Sequence, residues 1–306
     1  MLAKTGTNGC LMSKLILKAR YILSSQNNII ENGGVVVNGL IIDSVDVFSN
    51  LKIENSSKVI DFGNSIILPG FVNAHTHLEL TNMSGLNVQD KKLTSWIKEL
   101  VKTRLKWKEE DFVASVENGV RQCVETGTTT VADITNSGYS FEVLKNSRIR
   151  KIVYNEIISF DPAKAADIIS DAEDKLDKVN QDSLMCKGLS PHAPYTVSYD
   201  LYKACSRLAK LKNIPLCTHI AETEDEVEFL SKGKGVFIDF LKGFRMLPDD
   251  WTAPGLTPVK YLKECGILEN RPLLVHCNYL SDDEIQIIRQ TGSNVVFCPR
   301  SHSFFN

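Results

Sequence analysis

Four segments of the sequence carry histidine at or just after an apolar run that is typical of a β-strand. In the first, NAHTH at 73–77, two histidines stand two positions apart. Because side chains alternate faces along a strand, His75 and His77 point to the same side. Two neighbouring imidazoles can ligate a divalent metal such as zinc. The alternative is a pair of polar residues at a strand exit, and the preceding LPGFVN favours the metal-binding interpretation.

The segment CTHIAET at 217–223 brings His219 to the end of a second apolar run, and Glu222 follows three residues later, where a helix is expected. A carboxylate at the start of a helix can simply interact favourably with the helix dipole. Close to a metal-bound water, the same carboxylate would be placed to transfer protons. The spacing alone leaves both interpretations of Glu222 open.

Two further strand-like segments, LSPHAPY at 189–195 and LLVHCN at 273–278, carry His192 and His276. Prolines on both sides of His192 stiffen its loop. A single histidine at a strand exit is more often structural or exposed, but the carboxyl ends of barrel strands converge on one face. We therefore expect these histidines to meet the others at one site. His302, just past the last strand-like run, is either part of the rim of that site or a surface residue.

Strand-like and helix-like runs alternate from Pro69 onward. The expected strands cover 71–75, 129–134, 151–158, 185–190, 214–219, 272–277 and 294–298, and the expected helices include 93–107, 111–126, 198–211, 222–230 and 282–290. Continuously apolar strands between helices indicate a parallel sheet. A closed (β/α)8 TIM-type barrel needs eight strands and typically ~250 residues. Since residues 69–306 supply seven strands, and no helical pattern follows the seventh, we expect an α/β barrel truncated after about strand seven.

Residues 13–68 are short apolar runs separated by turn residues, which indicates a small β module. The run MSKLILKARYIL predicts a strand, and Met12 at its start is a candidate translation start beside Met1. The pattern IIENGGVVV at 29–37 predicts a hairpin with its turn at 31–34. Asn38 and Gly39 predict another turn before a strand at 40–42.

Composition excludes several classes of protein. The chain has 306 residues, 35 Lys and Arg against 37 Asp and Glu, and a formal net charge of −2. We expect no nucleic-acid partner, because there is no basic patch, and no membrane partner, because no apolar run approaches ~20 residues. The eight cysteines form no C-x-x-C pair. Together with the absence of a signal-peptide pattern, this predicts mostly buried thiols in a reducing cytoplasm.

Six motifs give the chain a resemblance to the amidohydrolase superfamily, in its branch of metal-dependent deaminases and chlorohydrolases. They are LPGFVNAHTHLEL, TGTTTVADI, LSPHAPYTVS, CTHIAETEDEVEF, LLVHCNYLSDDEI and VVFCPRSHSFF, which occur in the family's order. The resemblance implies a (β/α) barrel joined to a β-sandwich that is built from both chain ends. It divides this chain into 13–68, the amino-terminal part of the sandwich, and 69–306, an incomplete metal-dependent hydrolase barrel.

The resemblance also implies roles for individual residues. The metal ligands would be His75, His77 and His219. Glu222 would bind the substrate and protonate its ring, His276 would orient the metal-bound water, and His192 would contact the substrate. The family's fourth ligand is an Asp after strand eight, to which no position here corresponds, so we expect the chain to be a fragment.

One divalent metal is expected, zinc first and iron second. Binuclear relatives bridge two metals with a modified lysine at the end of strand four, whereas this strand ends in Ser190, Pro191 and His192. Lys187 lies near its beginning and points elsewhere by register. Asp133, at the end of strand two, is interpreted as a structural residue that holds a neighbouring loop or cation.

The function implied is hydrolytic deamination of an aminated purine nucleoside or related heterocycle through a metal-bound hydroxide. The motifs resemble those of methylthioadenosine and S-adenosylhomocysteine deaminases and, with Glu79 directly after HTHL, of aminodeoxyfutalosine deaminases. Adenosine-type groups often bind ribose with a glutamate in the helix after strand one, and only Leu105 aligns there. The alternatives are an amide or carbon–halogen hydrolase of the same superfamily, and a catalytically inactive fragment. The expected partner is a small-molecule substrate, and a second copy of the chain in a homodimer is a further candidate.

Overall fold

A computed structural model describes residues 14–25, 28–86, 88 and 90–305. The chain divides into two compact units, Met1–Gly70 and Phe71–Asn306. The cysteines in the described residues are all free thiols. Among these residues, no helix combines the length and the apolar character needed to cross a membrane.

The first unit is a five-stranded sheet in the order β3-β2-β1-β4, with β5 paired to β1. Its strands are β1 (Leu15–Ser25), β2 (Asn28–Asn38), β3 (Ile41–Val47), β4 (Lys58–Asp61) and β5 (Ile66–Ile67). The pairs β1–β2 and β2–β3 are antiparallel, whereas β4 and β5 run parallel to β1. A small apolar cluster around Ala19, Ile22 and Val35 stabilises the sheet.

The predicted turn at 31–34 is wrong, because β2 continues through these residues. The two glycines serve close packing instead. A Cβ on Gly33 would lie 2.5 Å from Ile22 Cγ1, and a Cβ on Gly34 would lie 2.7 Å from Leu51 Cδ1. The predicted turn at Asn38 and Gly39 is confirmed, since Asn38 pairs with Ile41 across it. The candidate start at Met12 lies outside the described residues.

The second unit contains all seven predicted strands. They are β6 (Phe71–Thr76), β7 (Thr128–Thr135), β8 (Arg150–Ile157), β9 (Met185–Pro191), β10 (Cys217–Ile220), β11 (Leu273–His276) and β12 (Asn294–Val296). They form the parallel sheets β6-β7-β8-β9 and β10-β11-β12. A parallel bridge between Leu189 and Leu216 links the two sheets. The strands therefore follow one another in chain order, and the predicted parallel arrangement is confirmed.

Helices connect these strands. They are α1 (Leu93–Arg104), α2 (Glu109–Glu125), α3 (Tyr139–Lys145), α4 (Ala165–Asp177), α5 (Tyr199–Lys212), α6 (Glu224–Lys232), α7 (Val236–Gly243), α8 (Pro258–Glu264), α9 (Asp282–Thr291) and α10 (Pro299–Phe305). The expectation that no helix follows the seventh strand is wrong, because α10 does so. This helix has only seven residues and its first is a proline, so its sequence is too short to show a helical period.

Packing beneath the helices fixes where the strand ends lie. A core of buried apolar side chains includes Val131, Val153 and Leu189 from the strands and Leu201 from α5. On the outside of β6, a Cβ at Gly119 of α2 would lie 2.9 Å from Leu78 Cδ2. The missing side chain thus lets α2 approach the 3₁₀ turn Leu78–Met83 that follows His77.

Candidate metal and substrate site

His75 and His77 lie at the carboxyl end of β6. Their rings are 5.0 Å apart between centroids, and His75 is also 5.0 Å from the ring of His219. The chain after His77 is held from the neighbouring strand, because Asp133 Oδ1 accepts the backbone N–H of Leu78 at 2.7 Å. Asp133 therefore holds the loop after His77, in agreement with the sequence-based interpretation of Asp133 as a structural residue.

His219 is held by the backbone of the neighbouring strand end. Its N–H donates to the carbonyl oxygen of His192 at 2.8 Å, and its Nδ1 lies 3.0 Å from the same oxygen. A carbonyl oxygen only accepts hydrogen bonds, so Nδ1 carries the proton and Nε2 keeps a free lone pair. This Nε2 lies 3.2 Å from His77 Nε2.

The imidazole cluster has the chemistry of a metal site. One ring nitrogen each of His75, His219 and His276 lies within 4.8 Å of the others. Burial holds the pKa of His75 and His77 well below the usual range, and lowers it to about 4 for His219 and about 3 for His276. The rings are therefore neutral near pH 7, which is the form that ligates metals.

Two further observations fit a bound cation. Nitrogens on a tetrahedral zinc with bonds of ~2.1 Å are about 3.4 Å apart, close to the 3.2 Å between the Nε2 atoms of His77 and His219. Within the part of the chain that the structure describes, the buried Nδ1 atoms of His75 and His276 have no hydrogen-bond partner. Buried polar nitrogens without a partner are costly unless something else satisfies them.

Glu222 lies beside this cluster. Its Oε1 is 3.3 Å from His276 Nε2 and accepts a hydrogen bond from Ser301 Oγ of α10 at 2.8 Å. Burial raises the pKa of Glu222 to about 7, while the bond from Ser301 lowers it. A carboxyl with this pKa can both give and take a proton near neutral pH.

A second carboxylate fixes the turn that carries Glu222. Glu226 of α6 accepts the backbone N–H groups of Ala221 at 2.9 Å and Glu222 at 3.0 Å. Ala221 has a φ of 49°, and His276 has a φ of 79°. Left-handed conformations in residues other than glycine cost energy and persist only where the surroundings impose them. The turn is therefore held rigidly next to the imidazoles.

His192 completes the group of predicted residues. Its ring lies 5.0 Å from that of His219, and its Nδ1 is 2.6 Å from Thr196 Oγ1. The structure thus brings all six predicted site residues together, although they come from four strand ends. Lys187 points away, since its Nζ donates to the carbonyl oxygens of Leu176 and Val179 at the end of α4.

A cavity of about 900 Å³ opens over the cluster. Its lining includes the histidines, Glu222 and further charged residues such as Arg104 and Glu156. A larger set of apolar side chains comes mainly from α1, α7 and α10. The apolar lining includes Leu93, Trp96, Ile97, Leu100, Phe240, Phe244, Met246, Phe304 and Phe305. His302 is not among the lining residues, and its ring packs 5.7 Å from that of Phe297.

Sequence reasoning missed a polar network at the edge of the cavity. The buried Glu79 accepts hydrogen bonds from Thr135 Oγ1, Ser137 Oγ and two backbone N–H groups, and forms an ion pair with Arg104 at 3.3 Å. Glu156, at the end of β8, lines the cavity with Arg104. Glu156 could have been found in the sequence as a charged residue near the end of an apolar strand. Arg104 gave no such signal, because it lies in a helix.

The chain is similar in sequence to a known family and to characterised proteins. The sequence model described as "Amidohydrolase family" matches residues 66–305. A 5-methylthioadenosine/S-adenosylhomocysteine deaminase of Thermodesulfovibrio yellowstonii is 31% identical over an alignment that covers 94% of this chain and 63% of that protein. An aminodeoxyfutalosine deaminase of Deinococcus radiodurans is 30% identical, with coverage of 88% and 65%. The chain thus spans less than two thirds of the length of these curated relatives.

A solved structure shows the same fold. The crystal structure of Helicobacter pylori aminofutalosine deaminase in complex with methylthio-coformycin has a TM-score of 0.81 to this chain. The match covers 94% of this chain and 70% of that chain at 23% sequence identity.

Proposed function

Because the chain belongs to the amidohydrolase family, we propose that its protein is a hydrolase that removes the amino group of an aminated purine nucleoside or related heterocycle. Water replaces the amino group at a ring carbon, a ring carbonyl forms, and ammonia leaves. Relatives that match this chain in sequence are named as deaminases of adenosine-type compounds. The observation that carries the proposal is the buried Glu222 beside a cluster of neutral imidazoles.

The fold assignment is part of the proposal. Residues 69–306 belong to a (β/α)8-type metal-dependent hydrolase barrel, and residues 13–68 belong to a β-sandwich. Seven parallel strands in chain order support the first assignment. The five-stranded, partly antiparallel sheet supports the second.

His75, His77 and His219 would hold one divalent metal. Zinc is the first candidate and iron the second, since imidazole suits both. When bound, such a cation supplies Lewis acidity and lowers the pKa of a coordinated water toward ~7. The free lone pair of His219 Nε2, only 3.2 Å from His77 Nε2, supports this ligand set.

The remaining residues act on water and substrate. His276 lies next to Glu222 and would orient the attacking water. Glu222, with a pKa of about 7, would protonate the ring nitrogen beside the reacting carbon and make that carbon more electrophilic. His192, whose Nδ1 is engaged by Thr196, would present its other nitrogen to the substrate.

The cavity supports a substrate with two different ends. An amino-bearing heterocycle would lie against Glu222 and the histidines, and an apolar substituent would lie against apolar lining residues such as Trp96, Phe240 and Phe305. Methylthio and deoxy nucleosides have such a substituent. The test is to incubate the metal-loaded protein, as its gene encodes it, with 5-methylthioadenosine, 5'-deoxyadenosine, S-adenosylhomocysteine and adenosine, and to measure released ammonia and the ring's ultraviolet spectrum.

Ammonia with a shifted ring spectrum would support deamination. Carboxylate or halide release from amide or halogenated ring compounds, with no ammonia from any nucleoside, would assign the protein to another hydrolase of the family. A His219→Ala variant is the control for contaminating deaminases, because it removes the ligand that the other imidazoles surround.

A further inference from the structure

Glu156 has no part in the reaction derived above, yet it stands at the same site. It ends the apolar strand β8 and lines the cavity. One of its carboxylate oxygens lies within 4.8 Å of a ring nitrogen of both His192 and His219. A partly buried carboxyl at this distance from two imidazoles is either a metal ligand or a group that contacts the substrate.

The hydrogen bonds of His219 argue against a second metal. Its Nδ1 donates to the carbonyl oxygen of His192, so Nε2 is its one nitrogen with a free lone pair. That nitrogen already faces His77 at 3.2 Å. A lone pair cannot serve two cations, and Glu156 therefore cannot share His219 with a metal of its own while the first metal is bound.

Arg104 lies close enough to lower the pKa of Glu156, but its ion pair is with another carboxylate. Arg104 forms its ion pair with Glu79 at 3.3 Å, and its Nη2 also donates to Asn136 Oδ1 at 2.8 Å. Among the described residues, no ion pair joins Arg104 to Glu156. Glu79 in turn is saturated by hydrogen bonds from Thr135 and Ser137. Asn136 hydrogen-bonds to the carboxyl of Glu156. A carboxyl has two oxygens with several acceptor sites, so Glu156 keeps hydrogen-bonding capacity toward the cavity.

The order of the strands shows on which side of His219 the carboxyl of Glu156 lies. Along the sheets, β8 with Glu156 precedes β9, which is followed by β10 with His219 and then β11 with His276. Glu222 lies on the His276 side, 3.3 Å from that ring. Glu156 therefore stands on the opposite side of His219, together with His192.

We propose that Glu156 is a substrate-binding residue that, with His192, accepts a hydrogen bond from a hydroxyl or amino group on the non-reacting part of the substrate. The inference rests on the proposed function, because it assumes that the reacting ring lies between Glu222 and Glu156. An uncharged donor fits this position, because a carboxyl oxygen of Glu156 can accept a hydrogen bond whether the group is ionised or protonated.

The experiment measures metal content and binding rather than turnover alone. The probe is methylthio-coformycin, the compound present in the Helicobacter pylori complex, titrated calorimetrically into the metal-loaded protein. Glu156→Leu should keep the wild-type metal content and thermal midpoint but bind the probe about 10- to 100-fold more weakly. Glu156→Gln, which keeps a carbonyl acceptor, should recover part of the affinity. Glu142→Leu, at an exposed glutamate of α3, is the matched control and should bind like the wild type.

Each other outcome contradicts a specific statement. Loss of metal from Glu156→Leu to the level of His219→Ala would make Glu156 a ligand and overturn the inference. Equal binding by wild type and Glu156→Leu would overturn it while leaving the proposed deamination in place. A wild-type protein that neither binds the probe nor releases ammonia from any nucleoside would overturn both.

Discussion

The Nε2 atoms of His77 and His219 lie 3.2 Å apart, although 142 positions separate the two residues in the chain. The backbone sets this approach from both sides. His219 is tied through Nδ1 to the carbonyl oxygen of His192, and the residue after His77 donates its N–H to Asp133. The neutral rings of His77 and His219 are thus held close together, with the lone pair of His219 Nε2 toward His77. A cation bound to both rings would stabilise this arrangement.

Metal content should depend on these rings. We expect the double variant His75→Ala/His77→Ala, and His219→Ala alone, to purify with less than a tenth of the wild-type metal by elemental analysis, because too few imidazoles remain to hold a cation. His302→Asn is the matched histidine control, since His302 does not line the cavity, and it should keep its metal. Equal metal in all four proteins would contradict the ligand assignment.

Glu222 should be needed for turnover but not for metal. Glu222→Gln keeps the size of the side chain and removes the exchangeable proton, so we expect deamination to fall by ~10²–10⁴-fold at unchanged metal content. Steady-state ammonia release checks this, with Glu224→Gln as the control because Glu224 is an exposed neighbour on α6. Activity within a few-fold of wild type would assign the proton to another group.

Ser301 should set the pH range of activity. Its hydroxyl donates to Glu222 Oε1 and lowers the pKa of that carboxyl, which burial raises to about 7. Since the protonated form is the acid, activity falls as pH rises through this pKa. Ser301→Ala removes the lowering bond, so the alkaline limb of the kcat/KM profile should move to higher pH. Ser303→Ala, at an exposed serine of the same helix, should leave the limb in place, and a shift to lower pH for Ser301→Ala would contradict the assignment.

Glu226 should matter for stability through the turn that it holds. Glu226→Ala leaves the backbone N–H groups of Ala221 and Glu222 without their acceptor, at a cost of about 1–3 kcal/mol for each buried donor. We expect a lower thermal midpoint together with weaker catalysis, because Glu222 loses its fixed position. Glu228→Ala on the same helix, where the ion pair with Lys232 spans 4.0 Å, should change stability by about 0.5 kcal/mol or less. Equal midpoints for the two variants would show that the turn does not depend on Glu226.

Much of the second unit could be predicted from local sequence. Its seven strands are short apolar runs between helical patterns, and each run was found as a strand of a parallel sheet. The predicted histidines and Glu222 also follow from local sequence, since each stands at or just after the end of such a run. Parallel strands place their carboxyl ends together, so the sequence could bring these residues to one site without any knowledge of the distances.

Other features depend on contacts between distant residues. The glycines at 33 and 34 look like a turn, but Ile22 and Leu51 require a residue without a side chain there, so β2 runs straight through. Helix α10 is too short to have a period of its own, yet it brings Ser301 to Glu222 across 79 positions.

Only the tertiary structure shows which charged residues interact with one another. Glu79 is anchored by Thr135, 56 positions away, and Arg104 reaches it from α1. Sequence patterns record which side of a strand or helix a residue occupies, because that periodicity is local. They do not show which charged residues pair with each other, since the partners in an ion pair or buried hydrogen bond are brought together only by the folded backbone. Local sequence was therefore enough to predict the strands of the second unit, the histidine cluster and Glu222 as the candidate acid, whereas only the folded structure shows the partners of Glu222, Glu226 and Glu156.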